Sequence, residues 1–171
     1  MSSDRATLQA IRALLLRDLR SFRKEIALFP DDESPWRPLP GIANPAANLV
    51  LHVAGNLQHF VGTLLGNTGY RRQREREFAL RAGTRESLDA ELAAAEAAVD
   101  RVLGAMRPER LAEPFPDTLR GLQASTGTIL LHLSTHVAFH LGQAGYHRRA
   151  LLQDPTSSGA MGVEELKGLG N

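Results

Sequence analysis

Three histidines, His132, His136 and His140, occupy every fourth position within residues 130–143. On an α-helix this spacing places the side chains on one face, with Cβ atoms about 5–6 Å apart. The residues between them are mostly apolar, so we expect a buried helix, and buried imidazole nitrogens need partners. Two histidines at positions i and i+4 can bind one ion of zinc, nickel, cobalt or iron. The pattern therefore predicts metal chemistry, with a third ligand from elsewhere in the chain.

The chain offers four helical segments to position these histidines. Apolar residues recur three and four positions apart, as in helices that bury one face. The segments are residues 4–28, 44–65, 84–106, and a fourth that begins between residues 118 and 126 and ends near residue 153. We found no strand pattern, and long connectors follow the first two helices. The sequence therefore predicts an all-α fold, an antiparallel four-helix bundle of residues 1–153 with a flexible tail of residues 154–171.

The second predicted helix supplies the third candidate ligand. Asn44 and Pro45 suit the N-cap and the first helical position, and the segment that follows is apolar on most sides. His52 lies in the middle of this segment, with Asn56 and His59 on the same face. Since a bundle brings its helices together, we expect His52 to lie opposite the histidines of the fourth helix.

The two long connectors each allow two interpretations. The first, over residues 30–41, holds four prolines and Trp36; it is either a crossover loop that Trp36 anchors, which we prefer, or a lid over a pocket. The second is rich in arginine. Arg71, Arg72 and Arg74 could bind phosphate or carboxylate groups of a substrate. The alternative, which we prefer, is a solvated loop with local ion pairs.

Composition narrows the possible functions. The 171 residues carry a formal net charge of +1, which gives no general attraction for nucleic acid or for a membrane. There is no cysteine, which excludes disulfides, thiolate ligands and a cysteine nucleophile. We see neither a signal peptide nor an apolar run of about 18 residues. The sequence thus predicts a cytoplasmic protein that binds neither nucleic acid nor a membrane.

Two motifs resemble the DinB/YfiT-like superfamily. They are Asn-Leu-Val-Leu-His at residues 48–52 followed by Gly55-Asn56, and His136-x3-His140-x2-Gln143; Arg-Glu-Arg-Glu-Phe at residues 74–78 also looks like one subgroup. The resemblance covers residues 6–152. It implies a divalent metal, usually zinc or nickel, held by His52, His136 and His140. It also implies that homodimers are common, and that some members are transferases or isomerases that use a low-molecular-weight thiol.

Three protein ligands would leave an open coordination position, as in catalytic zinc sites. That position could activate a thiol or a water for reaction with a small electrophilic substrate. The two ligand helices carry no carboxylate near the ligands, although Asp18 or Glu96 could reach inward, and this favours thiol activation. The alternative is a non-catalytic metal- or ligand-binding bundle that acts in stress responses. No catalytic side chain beyond the ligands is predicted.

Several residues around the predicted site are given weaker assignments. Asn56, His132 and Gln143 are candidates for contact with the ligands rather than with the ion, since helix rise places His132 about 12 Å from His140. We expect His147, beside two arginines, near the surface, and we assign no role to His59. A homodimer should form through an exposed strip of the first or third helix.

Overall fold

The computed structural model describes residues 3–118, 121 and 123–167, and in these ranges the long secondary-structure elements are all helices. It contains five α-helices: α1 Ser3–Ala27, α2 Ala46–Leu57, α3 Arg74–Ala79, α4 Arg85–Ala105 and α5 Thr126–Leu152. A π-helical turn, Gln58–Thr63, and a short α-helical turn, Leu64–Gly66, extend α2. Among the described residues there is no strand, only an isolated bridge between Pro114 and Ser125. The predicted all-α class is confirmed.

The four long helices form a closed ring in which α1 and α2 lie on opposite corners. α1 packs against α4 and α5, and α2 packs against the same two helices. Ion pairs from Arg20 to Glu96 and from Arg23 to Asp89 show that α1 and α4 are antiparallel. α2 and α4 are instead parallel, because Gln58 contacts Glu91 while Gly66, further along α2, faces Val102. The bundle therefore contains parallel as well as antiparallel neighbours.

The parallel pair requires a return connector, and this connector lies along α2. Gly62 faces Thr68, and further back along α2 Asn48 donates hydrogen bonds from Nδ2 to the carbonyls of Glu77 (2.8 Å) and Leu80 (3.0 Å). The arginine-rich segment is thus partly buried and partly helical, which differs from the solvated loop that we preferred. It forms α3, which packs on the outside of α2.

The helix boundaries follow local chemistry closely. Thr84 caps α4, since its side chain accepts a hydrogen bond from the Ser87 amide at 3.1 Å. Ser125 caps α5 in the same way. The prediction of Asn44 as N-cap of α2 is wrong by one residue: Pro45 has extended backbone (φ −65°, ψ 165°), and the helix begins at Ala46. The predicted start range for α5 includes residues 119, 120 and 122, which lie outside the described residues.

The apolar stripe of α1 is buried in the core rather than exposed. Leu15, Leu19 and Phe22 are inaccessible to solvent. This rules out the stripe of the first helix as the strip for a homodimer, and the strip on the third predicted helix, now α4, stays a prediction. The large exposed apolar side chains of the described residues lie elsewhere, and three of them, Leu131, Phe139 and Tyr146, are on α5.

The proline-rich connector before α2 is anchored by its tryptophan. Trp36 is buried, and its indole Nε1 donates a hydrogen bond to the Gly83 carbonyl at 2.8 Å. A Cβ at Gly83 would press on the indole ring, so the glycine allows this contact. Around Trp36 the connector is therefore an anchored crossover loop, which is the interpretation that we preferred.

The segment after α5 contacts the bundle at several points. Arg148 donates a hydrogen bond to the Thr156 carbonyl, and Arg17 lies 3.2 Å from the Met161 sulfur. The domain boundary after residue 153 stays a prediction, and residues 168–171 of the predicted tail lie outside the described residues. Among the described residues, no helix is both long enough and apolar enough to cross a membrane.

Candidate metal centre

His52 of α2 meets His136 and His140 of α5 between the two helices. The Nε2 atom of His136 lies 3.2 Å from His52 Nε2 and 3.1 Å from His140 Nε2. One nitrogen from each ring lies within 4.8 Å of the other two. Tetrahedral coordination with metal–nitrogen bonds of 2.0–2.1 Å would separate ligand nitrogens by about 3.3 Å. The spacing of the three imidazoles therefore fits a metal ion, and these residues could hold one.

Glu77 of α3 fixes the ring of His52 from the outside. His52 Nδ1 lies 3.0 Å from Glu77 Oε2 and 3.2 Å from Arg72 Nη2. Because an ionised carboxylate only accepts, the closer contact with Glu77 assigns the proton to Nδ1. Arg72 holds the same carboxylate with two hydrogen bonds, from Nε to Oε1 (2.7 Å) and from Nη2 to Oε2 (2.8 Å). Gly55 makes room for this arrangement, because a Cβ there would overlap Glu77 Oε1. A proton on Nδ1 leaves the Nε2 lone pair of His52 free to face the other two histidines.

His140 is oriented in the same way by Gln143, one turn further along α5. The Nδ1–H of His140 donates a hydrogen bond to Gln143 Oε1 at 2.7 Å, so its Nε2 also carries a lone pair. His136 differs, since its Nδ1 is buried and has no hydrogen-bond partner among the described residues. Its Nε2 lies between two lone pairs and could donate a proton to only one of them. A cation would satisfy all three nitrogens, so the donor set fits a divalent metal.

Burial keeps the rings of His136 and His140 uncharged at neutral pH. It lowers the pKa of His136 to about 3, and the neighbouring His140 and His52 act in the same direction. Burial also lowers the pKa of His140. For Glu77, burial alone would raise the pKa, but hydrogen bonds from Arg72 and His52 outweigh it and the pKa is lowered. The site thus combines two neutral imidazoles on α5, which can bind metals, with an ionised carboxylate behind His52.

Glu77 was missed by the sequence analysis, which considered carboxylates on the four predicted helices but none on the connector. Glu77 lies 25 residues from His52 in the chain and on a connector, so helical spacing on α2 and α5 could not reveal it. The two carboxylates that we considered are engaged elsewhere: Asp18 pairs with Arg17, and Glu96 with arginines of α1. The one available signal was an acidic residue within the Arg-Glu-Arg-Glu-Phe segment of the resemblance.

The other candidate residues differ in their exposure and in the partners that they contact. His132 is exposed, and its ring centroid lies 6.1 Å from that of His136. Asn56 is buried, and its Oδ1 has no hydrogen-bond partner among the described residues. Of the three arginines proposed for substrate anions, Arg72 is taken by Glu77, and Arg74 lies over the ring of Phe78, 5.2 Å from its centroid. Arg71 is exposed.

His147 does not lie near the surface as we expected; it is only 3% exposed. Its Nε2–H donates a hydrogen bond to the Arg37 carbonyl at 2.8 Å, and burial lowers its pKa. The helix turns this position toward the connector before α2, which covers it. His59 lies in the π-helical turn, where its ring packs against Phe60 with centroids 5.0 Å apart. Neither residue belongs to the group of three that could hold a metal.

The lowered pKa values predict that acid destabilises the metal-free protein. His136, His140 and His147 stay neutral when folded, whereas each takes up a proton in the unfolded chain below its ordinary pKa of about 6.5. Stability is therefore complete above this pH and falls as the pH drops, by up to about 1.4 kcal/mol per pH unit for each histidine.

Urea unfolding with a chelator present, at pH 7.5, 6.0 and 5.0, measures this effect. The midpoint should fall at each step. The carboxylates with lowered pKa values, such as Glu77, lose their contribution only at lower pH, so this window isolates the histidines. A midpoint that stays constant or rises from pH 7.5 to 5.0 would contradict the prediction.

Comparison with known proteins identifies a family that matches most of the chain. A family described as the DinB superfamily matches residues 14–144, which include all three histidines, Glu77 and Gln143. No curated protein and no solved structure matches the chain significantly.

Proposed function

Because the chain belongs to the DinB superfamily, we propose that it binds one divalent metal ion through His52, His136 and His140 and acts on a small electrophilic substrate. Zinc and nickel are the ions that we propose, and the reaction is a thiol S-transfer or an isomerisation that uses a low-molecular-weight thiol. The supporting observation is the convergence of three Nε2 atoms, two of which carry lone pairs fixed by Glu77 and Gln143. A structural core histidine would need no such convergence.

The chemistry requires an open position beside the three nitrogens. A bound divalent ion would supply Lewis-acid chemistry there and lower the pKa of a thiol or of water. His52 is held by Glu77, and His140 by Gln143, so their rings cannot turn away without breaking a hydrogen bond. The chain thus keeps its ligands in place in advance, which reduces the free energy spent on organising the site.

We favour thiol activation over hydrolysis, and the reason now rests on how the carboxylate of Glu77 is held. Water activation usually needs a nearby general base, and Glu77 is the carboxylate beside the site. Both of its oxygens accept hydrogen bonds from Arg72, and Oε2 also accepts one from His52, while its pKa is lowered. A carboxylate held in this way is a poor proton acceptor. We therefore propose a nucleophile that ionises more readily than water and depends less on a general base, as a thiol does.

The alternative is a metal- or ligand-binding bundle without catalysis, acting in stress responses. The same arrangement of histidines would hold a metal ion in such a protein. The two proposals differ only in whether a reacting molecule occupies the open coordination position. We also propose that the protein is cytoplasmic and homodimeric. The buried stripe of α1 does not supply the dimer surface.

Metal titration followed by a thiol screen tests this proposal. The metal-free protein is titrated with Zn²⁺ and Ni²⁺ by calorimetry, then assayed with 1-chloro-2,4-dinitrobenzene and with glutathione, bacillithiol or mycothiol. We expect one ion per chain and a metal-dependent loss of thiol with at least one of the three. One ion without any thiol-dependent reaction would replace the catalytic proposal with the non-catalytic one. Absence of stoichiometric binding would overturn both.

A further inference from the structure

A cavity of about 700 Å³ lies between α5 and the connector that precedes α2. Its walls come from residues 39–44 of the connector, from Leu49 of α2, and from α5 between Gly142 and Ala150. Two large apolar side chains on these walls, Ile42 and Tyr146, are 48% and 74% exposed. The volume is within the range of small-molecule sites, about 300–1,000 Å³.

The cavity lies one helical turn from the three histidines. Leu49 precedes His52 by three residues on α2, and Gln143 follows His140 by three residues on α5. α2 and α5 run in opposite directions here, so both steps lead toward the same end of the bundle, and each covers about 4.5 Å. Gln143 belongs to both places: it lines the cavity and accepts the hydrogen bond from His140.

The lining carries no formal charge. Among the described residues that form it there is no lysine, arginine, aspartate or glutamate. His147 forms part of the wall, and its burial favours the neutral ring. An ionised ligand would lose hydration here without gaining a partner of opposite charge, whereas an apolar one would cover Ile42 and Tyr146.

One polar group remains available at the end nearest the histidines. Because Gln143 Oε1 accepts the proton of His140 Nδ1, its Nε2 amide hydrogens are left as donors. A ligand oxygen, such as a carbonyl, could accept from them. The polar end of a bound molecule would then face the proposed metal, while its apolar part lies against the connector.

We propose that this cavity binds a small, uncharged, mostly apolar molecule that carries a carbonyl or similar oxygen acceptor. We further propose that this molecule is the electrophilic substrate. The second part of the proposal rests on the proposed metal centre, whereas binding in the cavity does not. The proline-rich connector is then anchored at Trp36 and serves as a binding wall at residues 39–44.

Gly142 provides a way to fill the cavity without disturbing the bundle. It lies on the cavity wall, and a Cβ built there has no neighbour within 4 Å. Leucine also forms helix more readily than glycine. Gly142→Leu should therefore fold normally and occupy space that the ligand needs. Thr135→Leu, at an exposed position of α5 outside the cavity, is the matched control.

The probe is 6-propionyl-2-(dimethylamino)naphthalene, a neutral ketone whose emission shifts to the blue in apolar surroundings. We expect saturable binding to the metal-free wild type and to Thr135→Leu, and at least tenfold weaker binding to Gly142→Leu. The anionic analogue 6-(dimethylamino)naphthalene-2-carboxylate should bind at least tenfold more weakly than the ketone. Equal binding to wild type and Gly142→Leu, or equal binding of ketone and carboxylate, would overturn the cavity proposal.

A second measurement tests the link to the metal. In protein loaded with Co²⁺, the ketone should shift the visible absorption bands of wild type but not those of Gly142→Leu, while both proteins bind the ion equally. Ketone binding without a band shift would overturn the substrate role and leave the cavity site standing. Failure to bind Co²⁺ would overturn the proposed metal centre, and the metal-free ketone titration would still decide the cavity proposal.

Discussion

His136→Ala should abolish stoichiometric binding of Zn²⁺ or Ni²⁺. His136 lies between the other two imidazoles, with Nε2 atoms at 3.1 and 3.2 Å, so its removal leaves two nitrogens with no ligand between them. The loss should exceed the 10–100-fold that is typical of residues that only contact a ligand. Calorimetric titration of the metal-free variant measures the affinity and the stoichiometry.

The matched control is His132→Ala, one turn earlier on α5. His132 is exposed and lies outside the group of three, so this variant should keep one ion per chain with affinity close to wild type. Circular dichroism should show unchanged helix content in both variants, which separates ligand loss from unfolding. If His136→Ala still binds one ion tightly, or if His132→Ala loses it, the assignment of ligands is wrong.

Glu77→Ala should weaken metal binding by about 10–100-fold and should also destabilise the fold. Its removal frees the ring of His52 and leaves the Arg72 guanidinium without the carboxylate that now takes two of its hydrogen bonds. Breaking a buried ion pair from one side typically costs about 3–5 kcal/mol, and the partly exposed Arg72 places this case at or below the lower end. Metal titration and urea unfolding measure the two effects separately.

Two further variants separate orientation from stability. Glu77→Gln can still accept the His52 proton but lacks the charge that pairs with Arg72, so we expect a smaller loss of metal affinity than with alanine. Glu75→Gln, at an exposed position of the same helix, should change neither quantity. Gly55→Ala should act like Glu77→Ala, because its Cβ would displace the Glu77 carboxylate. Wild-type metal affinity in Glu77→Ala would show that Glu77 does not orient His52.

Local periodicity determined most of the architecture. The apolar stripe of α1, the cap at Thr84, and the spacing of His136 and His140 depend on residues within a turn or two of each other. Such patterns can be read from one chain because helix geometry is fixed. The identity of the helices and the relation of the two histidines on α5 therefore needed no tertiary information.

Helical spacing places Gln143 beside His140, but the tertiary structure decided what else surrounds the three histidines. Glu77 reaches His52 because α2 and α4 are parallel, which forces the connector back along α2 and lays α3 beside it. The burial of His147 and the cavity beside Gln143 likewise depend on where the connector before α2 lies. These contacts join residues 25 to 110 positions apart. No periodic pattern encodes such contacts, because loop paths are set by the packing of the whole bundle rather than by neighbouring residues.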